Sequence, residues 1–182
     1  MDKPIFLITG TAGVGKTTLA RALDLRYQLD HRLGTGFIRE IVKSQTNQML
    51  DSFLYEFTFR AKKPVAHLIK QARRIYSAID SCITRAKREG TSLVIEGNHL
   101  IPELYHTHNV AGYVILTVSD DKLLAQRLQG GTHTRRVITE QDFQNIKKID
   151  AYFREEAVKY QIPVIEAHSV EDVIIQFNAV RR

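Results

Sequence analysis

A single cysteine, Cys82, excludes an internal disulfide framework. The N-terminus also lacks an apolar targeting stretch, so the expectation is a soluble protein of the reducing cytoplasm. Cys82 lies in the helical pattern around Ile79 and Ile83 and reads as a small packing residue rather than a nucleophile. Only four prolines punctuate the 182 residues, and no tandem repeat, low-complexity run or Pro/Gly/Ser-rich linker divides them. One domain over residues 1–182 is therefore expected. Hydrophobic residues at 43% and charged residues at 25% argue against both disorder and a membrane-embedded class. The charges are unbalanced, and the net +6 favours anionic partners: nucleotides, phosphorylated metabolites, nucleic acid or an acidic membrane face.

Short apolar runs recur at Pro4 to Thr9, Ser92 to Ile95, Gly112 to Val118 and Ile162 to Ile165, each too short for a helix and too uniformly apolar for an edge. Between them, helical spacing marks Thr17 to Gln28, Phe37 to Met49, Pro64 to Glu89, Asp120 to Leu128, Thr139 to Tyr160 and Val170 to Val180. Pro64 and Gly90 punctuate the longest helix at the ends where a missing N–H and a left-handed residue are tolerated. Thr139 followed by Glu140 and Asp142 reads as an N-cap with first-turn acids. A weak strand is placed at His31 to Thr35, which has little apolar content. The alternation implies a three-layer α/β fold, a parallel sheet covered on both faces, with ligands at the carboxyl ends of the strands.

The clearest chemical signal is Gly10-Thr11-Ala12-Gly13-Val14-Gly15-Lys16-Thr17, which fits G-x-x-x-x-G-K-[ST] directly after a buried strand and before a helix. Glycines at Gly10, Gly13 and Gly15 let the backbone turn its N–H groups inward as an anion nest. The positive end of the following helix faces the same oxygens, and the Lys16 ammonium reaches the β and γ phosphates of ATP. Thr17 offers a hydroxyl to Mg²⁺, and Thr18 is placed at the α-phosphate.

Three further segments carry candidate chemistry. In Leu93 to Leu100 an apolar strand ends in Glu96 followed by Gly97, which sets an acid beside the loop to orient Mg²⁺ through water or to hold an acceptor. Arg39, in Thr35 to Glu40, has the planar fork that grips a carboxylate or phosphate. Arg127 to Arg136 combines the paired glycines Gly130 and Gly131 with three arginines, the composition of a lid over approximately residues 129–138 whose closure excludes water.

The P-loop, Ile38-Arg39-Glu40, the run Glu96-Gly97-x-His99-Leu100-Ile101-Pro102 and the lid together resemble the 2-phosphoglycerate kinase family, over most of the chain. The resemblance implies a P-loop NTPase fold with a five-stranded parallel sheet in the order 2-3-1-4-5, helices on both faces and a small arginine-bearing lid. It implies ATP and Mg²⁺ at Lys16 and Thr17, and an acceptor near Arg39, Glu96, Asn98 and His99. Arg127 is similar to an arginine that precedes the lid in nucleoside monophosphate kinases, where it stacks on adenine or approaches the phosphates; Arg135 and Arg136 would be the lid charges. Two positions depart from the pattern. Gly36 stands where the family commonly has an aspartate, and Gly130 and Gly131 stand where related lids often carry another arginine. The expected function is ATP- and Mg²⁺-dependent phosphorylation of a small anionic acceptor, 2-phosphoglycerate being the leading one. A nucleotide, a sugar acid or a polynucleotide 5′ end is the alternative acceptor, and an ATP-binding sensor or assembly module without phosphotransfer is the alternative of another class.

Basic clusters at Arg60 to Lys63, Lys70 to Arg74 and Arg85 to Arg88 come without a nucleic-acid motif and read as a solvated helical surface. His106 and His108 have neither a zinc spacing nor a cysteine beside them, so no structural metal is expected. The alternating aromatics Phe53, Tyr55, Phe57 and Phe59 suggest a strand-like or irregular segment that packs the following helix onto the core.

Overall fold

Five parallel strands in the order β2-β3-β1-β4-β5 form one sheet with helices on both faces. This computed structural model describes residues 3–130 and 137–180. The strands are β1 (Ile5–Thr9), β2 (His31–Gly34), β3 (Leu93–Glu96), β4 (Gly112–Thr117) and β5 (Val164–Glu166). The helices are α1 (Lys16–Tyr27), α2 (Thr35–Ser44), α3 (Pro64–Glu89), α4 (Pro102–Tyr105), α5 (Asp121–Gly130), α6 (Glu140–Tyr160) and α7 (Val170–Val180). The expected class and strand order are both present.

Alternation along β1 assigns its side chains to two helical layers, which is why the whole strand is apolar and buried. On one face the Phe6 ring meets Tyr27 of α1 and Phe177 of α7, at centroid distances of 5.4 and 5.3 Å. On the other, Ile5 and Leu7 pack in one cluster with Ile75, Ile79 and Ile83 of α3. In α3 the apolar stripe Leu68, Ala72, Ile75, Ile79 and Ile83 faces inward. Pro64 opens that helix, and Gly90, at φ 63°, closes it. At the start of α6 a reciprocal capping box forms: the Asp142 N–H donates to Thr139 Oγ1 and the Thr139 N–H to Asp142 Oδ2, both at 3.1 Å.

Boundaries shift where local polar groups compete with the hydrophobic pattern. α2 starts at Thr35 rather than Phe37 and stops at Ser44 rather than running to Met49. Its extension is replaced by a turn at Asn47, whose side chain accepts from the Met49 N–H at 2.8 Å. β2 is an exposed edge that its backbone pairing to β3 holds in place. β5 spans Val164–Glu166 rather than Ile162 to Ile165, because Pro163 contributes only its carbonyl, to the Ile115 N–H at 3.0 Å. The aromatic segment is irregular, two 3₁₀ turns at Ser52–Tyr55 and Thr58–Arg60.

Cys82 is half-buried in α3, and burial pushes its thiol pKa up, away from the reactive thiolate. Several basic residues of α3 have partners within the chain. Lys70 sits 4.1 Å from the Phe53 ring centre, and Arg73, Arg74 and Arg85 pair with Glu103, Asp51 and Glu89. His106 Nδ1 donates to the Pro102 carbonyl and His108 Nε2 to the Asp80 carboxylate, so the two imidazoles engage separate partners. Among the described residues no helix is long and apolar enough to cross a membrane.

Candidate active site

The carboxyl ends of β1, β2 and β3 converge, and register places Glu96 between Ile8 on one side and Gly34 on the other. Residues 10–15 turn sharply between β1 and α1, with positive φ at Gly10, Gly13 and Gly15. At Gly10 a Cβ would lie 2.3 Å from the Leu116 carbonyl oxygen of β4, so neither the conformation nor the space admits a side chain. Gly13 rests against Leu124 and Leu128, which docks α5 on the loop. Beyond the loop Thr17 and Thr18 stand exposed at the first turn of α1, while Val14 is buried beneath.

Lys16 lies over this loop, its ammonium donating to the Thr11 carbonyl at 2.5 Å. Desolvation lowers its pKa, and the Glu96 carboxylate acts in the opposite direction. A desolvated ammonium beside a nest of backbone amides is a strong attractor for a polyanion. The Thr17 hydroxyl donates to Glu96 Oε1 at 2.9 Å. A hydroxyl and a carboxylate side by side present the hard oxygen donors that suit Mg²⁺. The loop and these two side chains thus fit a magnesium-bound nucleoside triphosphate.

Behind Glu96 the chain makes an unusually close approach. At Gly97, φ 148°, a Cβ would lie 1.8 Å from Thr35 Oγ1, so only glycine lets the β3 loop pass the start of α2. Thr9 Oγ1 donates to the Gly97 carbonyl at 3.0 Å, tying that loop to the end of β1. Thr35 donates to His99 Nδ1 at 2.9 Å, and His99 Nε2 lies 3.3 Å from Gln71 Oε1. Since a glutamine oxygen only accepts, the imidazole carries its proton on Nε2 and accepts on Nδ1. His99 is 2% exposed. Burial first, then the charges of Arg39, Lys16 and His67, push its pKa down to about 3.

Gln71 of α3 is fully buried, and its amide nitrogen donates to the Phe53 and Glu56 carbonyls at 2.6 and 2.9 Å. Its oxygen also accepts from Thr58, at 2.7 Å, and Thr58 Oγ1 in turn accepts from Asn98 Nδ2 at 3.2 Å. Leaving either carbonyl unpaired would cost about 1–3 kcal/mol. Sequence reading missed this residue. Its one signal was a polar side chain on the inward stripe of an otherwise apolar helical face, between Leu68 and Ala72.

The segment that Gln71 holds presents Phe57, stacked on Phe59 with ring centres 5.6 Å apart. Two guanidinium groups lie over the Phe57 ring, those of Arg39 at 5.9 Å and Arg60 at 5.3 Å. Arg39 donates to Glu40 and, at 3.5 Å, to the Glu56 carbonyl, while its buried Nε has no partner. Arg39, Asn98 and His99 are thus joined through one frame to Glu96. On the opposite side Arg127 reaches across to the loop after β5, donating to the His168 carbonyl at 2.8 Å. Arg135 and Arg136, and most of the expected lid at 129–138, lie outside the described residues.

The buried His99 gives a pH prediction. Unfolded, the imidazole titrates near its ordinary 6.5; folded, near 3, so unfolding takes up a proton in that interval. This contribution to stability is complete above 6.5 and is lost as pH falls toward 3. A chemical-denaturation series across the interval should show stability falling with acidity, and His99→Gln, which keeps a donor and an acceptor, should flatten that fall. An unchanged slope would mean His99 is not the titrating group.

Residues 6–168 match the protein family described as AAA domain. Among curated proteins, the chain is 27% identical over 192 residues to a 2-phosphoglycerate kinase of Methanococcus vannielii, covering 93% of this chain and 61% of that protein. It is 30% identical over 181 residues to a 2-phosphoglycerate kinase of Thermococcus kodakarensis, covering 92% of this chain and 62% of that one. The chain therefore spans about three-fifths of the length of these relatives. A solved shikimate kinase from Acinetobacter baumannii in complex with shikimate superposes with a TM-score of 0.61 at 15% identity, covering 98% of this chain and 91% of that one. At that identity the likeness is one of fold.

Proposed function

The chain belongs to the AAA domain family, and from that premise we propose that residues 1–182 form one domain that transfers the γ-phosphoryl group of ATP to a small anionic acceptor, with 2-phosphoglycerate as the leading acceptor. The observation that carries the reading is the junction at Glu96, which bonds Thr17 of the phosphate loop and adjoins the frame bearing Arg39 and Asn98. Two half-sites, one suited to a triphosphate and one to an anion, meet at a single carboxylate.

The acceptor half-site is rich in positive charge that the fold does not fully use. Arg39 and Arg60 share the Phe57 ring, and Arg39 keeps an unpartnered buried Nε. Such a pair suits a carboxylate or phosphate presented edge-on to a guanidinium fork. It supports an acidic acceptor over a neutral one, and the names of the relatives make 2-phosphoglycerate the leading candidate within that class.

In the reaction, an acceptor hydroxyl oxygen bonds to the γ-phosphorus as the bond from that phosphorus to the bridging oxygen breaks, and ADP leaves with that electron pair. Glu96 orients the hydroxyl and takes its proton, supplying the carboxylate that Gly36 lacks. The loop amides and Lys16 neutralise charge on the transferring group, and Arg39 fixes the acceptor in line. Thr17 directly and Glu96 through a water would hold magnesium, which when bound offsets charge on the phosphate oxygens. Arg127 would stack on the adenine or approach the phosphates, and Arg135 and Arg136 would close the lid.

A coupled ADP-release assay across phosphorylated three-carbon acids, sugar acids and nucleoside monophosphates tests the reading. Acceptor-dependent ADP formation, fastest with 2-phosphoglycerate, is expected. Slow hydrolysis indifferent to every acceptor would contradict it and favour a nucleotide-binding module.

A further inference from the structure

Resting on that reading, we infer that Gln71 is the positioning residue of the acceptor half-site: one buried amide in α3 sets the aromatic segment, Asn98 and the β3 loop in a fixed relation to the phosphate loop. None of the residues expected from the sequence to hold the acceptor explains how Arg39 and Asn98 are kept in register with Glu96. Gln71 does, through three arms, two to the segment 53–58 and one to the loop after β3.

On the first, its amide nitrogen holds the carbonyls of Phe53 and Glu56, which fixes the turn leading into Phe57 and thus the ring under Arg39 and Arg60. On the second, Thr58 donates to its oxygen and accepts from Asn98, so the Asn98 carboxamide is oriented at one remove. On the third, the same oxygen accepts from His99, which is held in turn by Thr35, the residue that packs against Gly97 directly after Glu96. With both hydrogens and both lone pairs engaged, the carboxamide has one orientation in which every bond is made. His99 stays neutral in this relay, because burial desolvates it and the Arg39 and Lys16 cations disfavour a second positive charge there. The relay touches neither the phosphate loop amides nor Lys16, so its loss should be felt on the acceptor side.

The test is steady-state kinetics with Mg-ATP and 2-phosphoglycerate for Gln71→Met, which keeps the length of the side chain and removes every hydrogen bond of the carboxamide, the contact with His67 Nε2 at 3.1 Å included. The expected result is an acceptor KM raised about tenfold or more, with the KM for ATP changed by less than about twofold. A purely structural glutamine would lower thermal stability and leave the acceptor KM of the folded enzyme alone, and that outcome overturns the inference. Should Gln71→Met fail to fold, Thr58→Val carries the test, since it is isosteric and cuts only the arm to Asn98. A rise of about threefold or more in the acceptor KM is then expected, and no rise overturns the inference. Absence of turnover by the unsubstituted chain with every acceptor would overturn the kinase reading itself and this role with it. Turnover with unchanged KM in both variants overturns the role alone.

Discussion

Lys16→Ala is expected to lower turnover by roughly two to four orders of magnitude while leaving the fold intact. The size follows from its place: the ammonium lies over the loop, desolvated, with the Glu96 carboxylate acting to raise its pKa against that burial. A charge held in low dielectric acts more strongly on a developing anion than one in water. The same burial makes the charge costly to the fold, so alanine should match or exceed the parent in thermal stability. Circular dichroism melting alongside the turnover assay checks both parts. Retained activity would remove the phosphate loop from the mechanism, and a collapse of the melting temperature would recast Lys16 as a structural cation.

Glu96→Gln should lower kcat by about a hundredfold with ATP affinity changed by less than about threefold. Glutamine keeps a carbonyl oxygen for the Thr17 hydroxyl, which donates at 2.9 Å, but cannot accept the acceptor proton. A second signature comes from Lys16. Because Glu96 raises the Lys16 pKa against the effect of desolvation, removing its charge lets that pKa fall. The alkaline limb of kcat/KM, where Lys16 deprotonates, should therefore move to lower pH in the variant. Equal loss of binding and turnover, with no movement of that limb, would make Glu96 a structural acid.

Much of this was legible in the sequence, for reasons that differ by element. The phosphate loop declared itself because its glycines are demanded by backbone geometry: Gly10 has no room beside the Leu116 carbonyl, and no other residue type would serve. The parallel, doubly covered sheet followed from buried runs alternating with helices, whereas its strand order was implied only by the resemblance to related kinases. The ends of α2 and β5 were misplaced because Asn47 and Pro163 redirect backbone hydrogen bonds, an effect that hydrophobic periodicity does not register. The family resemblance implied His99 as an acceptor contact, whereas the fold buries it between Thr35 and Gln71. Gln71 itself was invisible as chemistry, since its bonds to Thr58, to His99 and to the main-chain carbonyls of Phe53 and Glu56 follow no motif.

Phosphorus NMR distinguishes transfer from hydrolysis, which ADP release alone does not. In a mixture of the chain, Mg-ATP and 2-phosphoglycerate, the γ-phosphate resonance should fade as a new phosphoryl resonance grows on the acceptor in equal amount. Orthophosphate as the sole new signal, or ATP left untouched, would contradict phosphotransfer across the Glu96 junction.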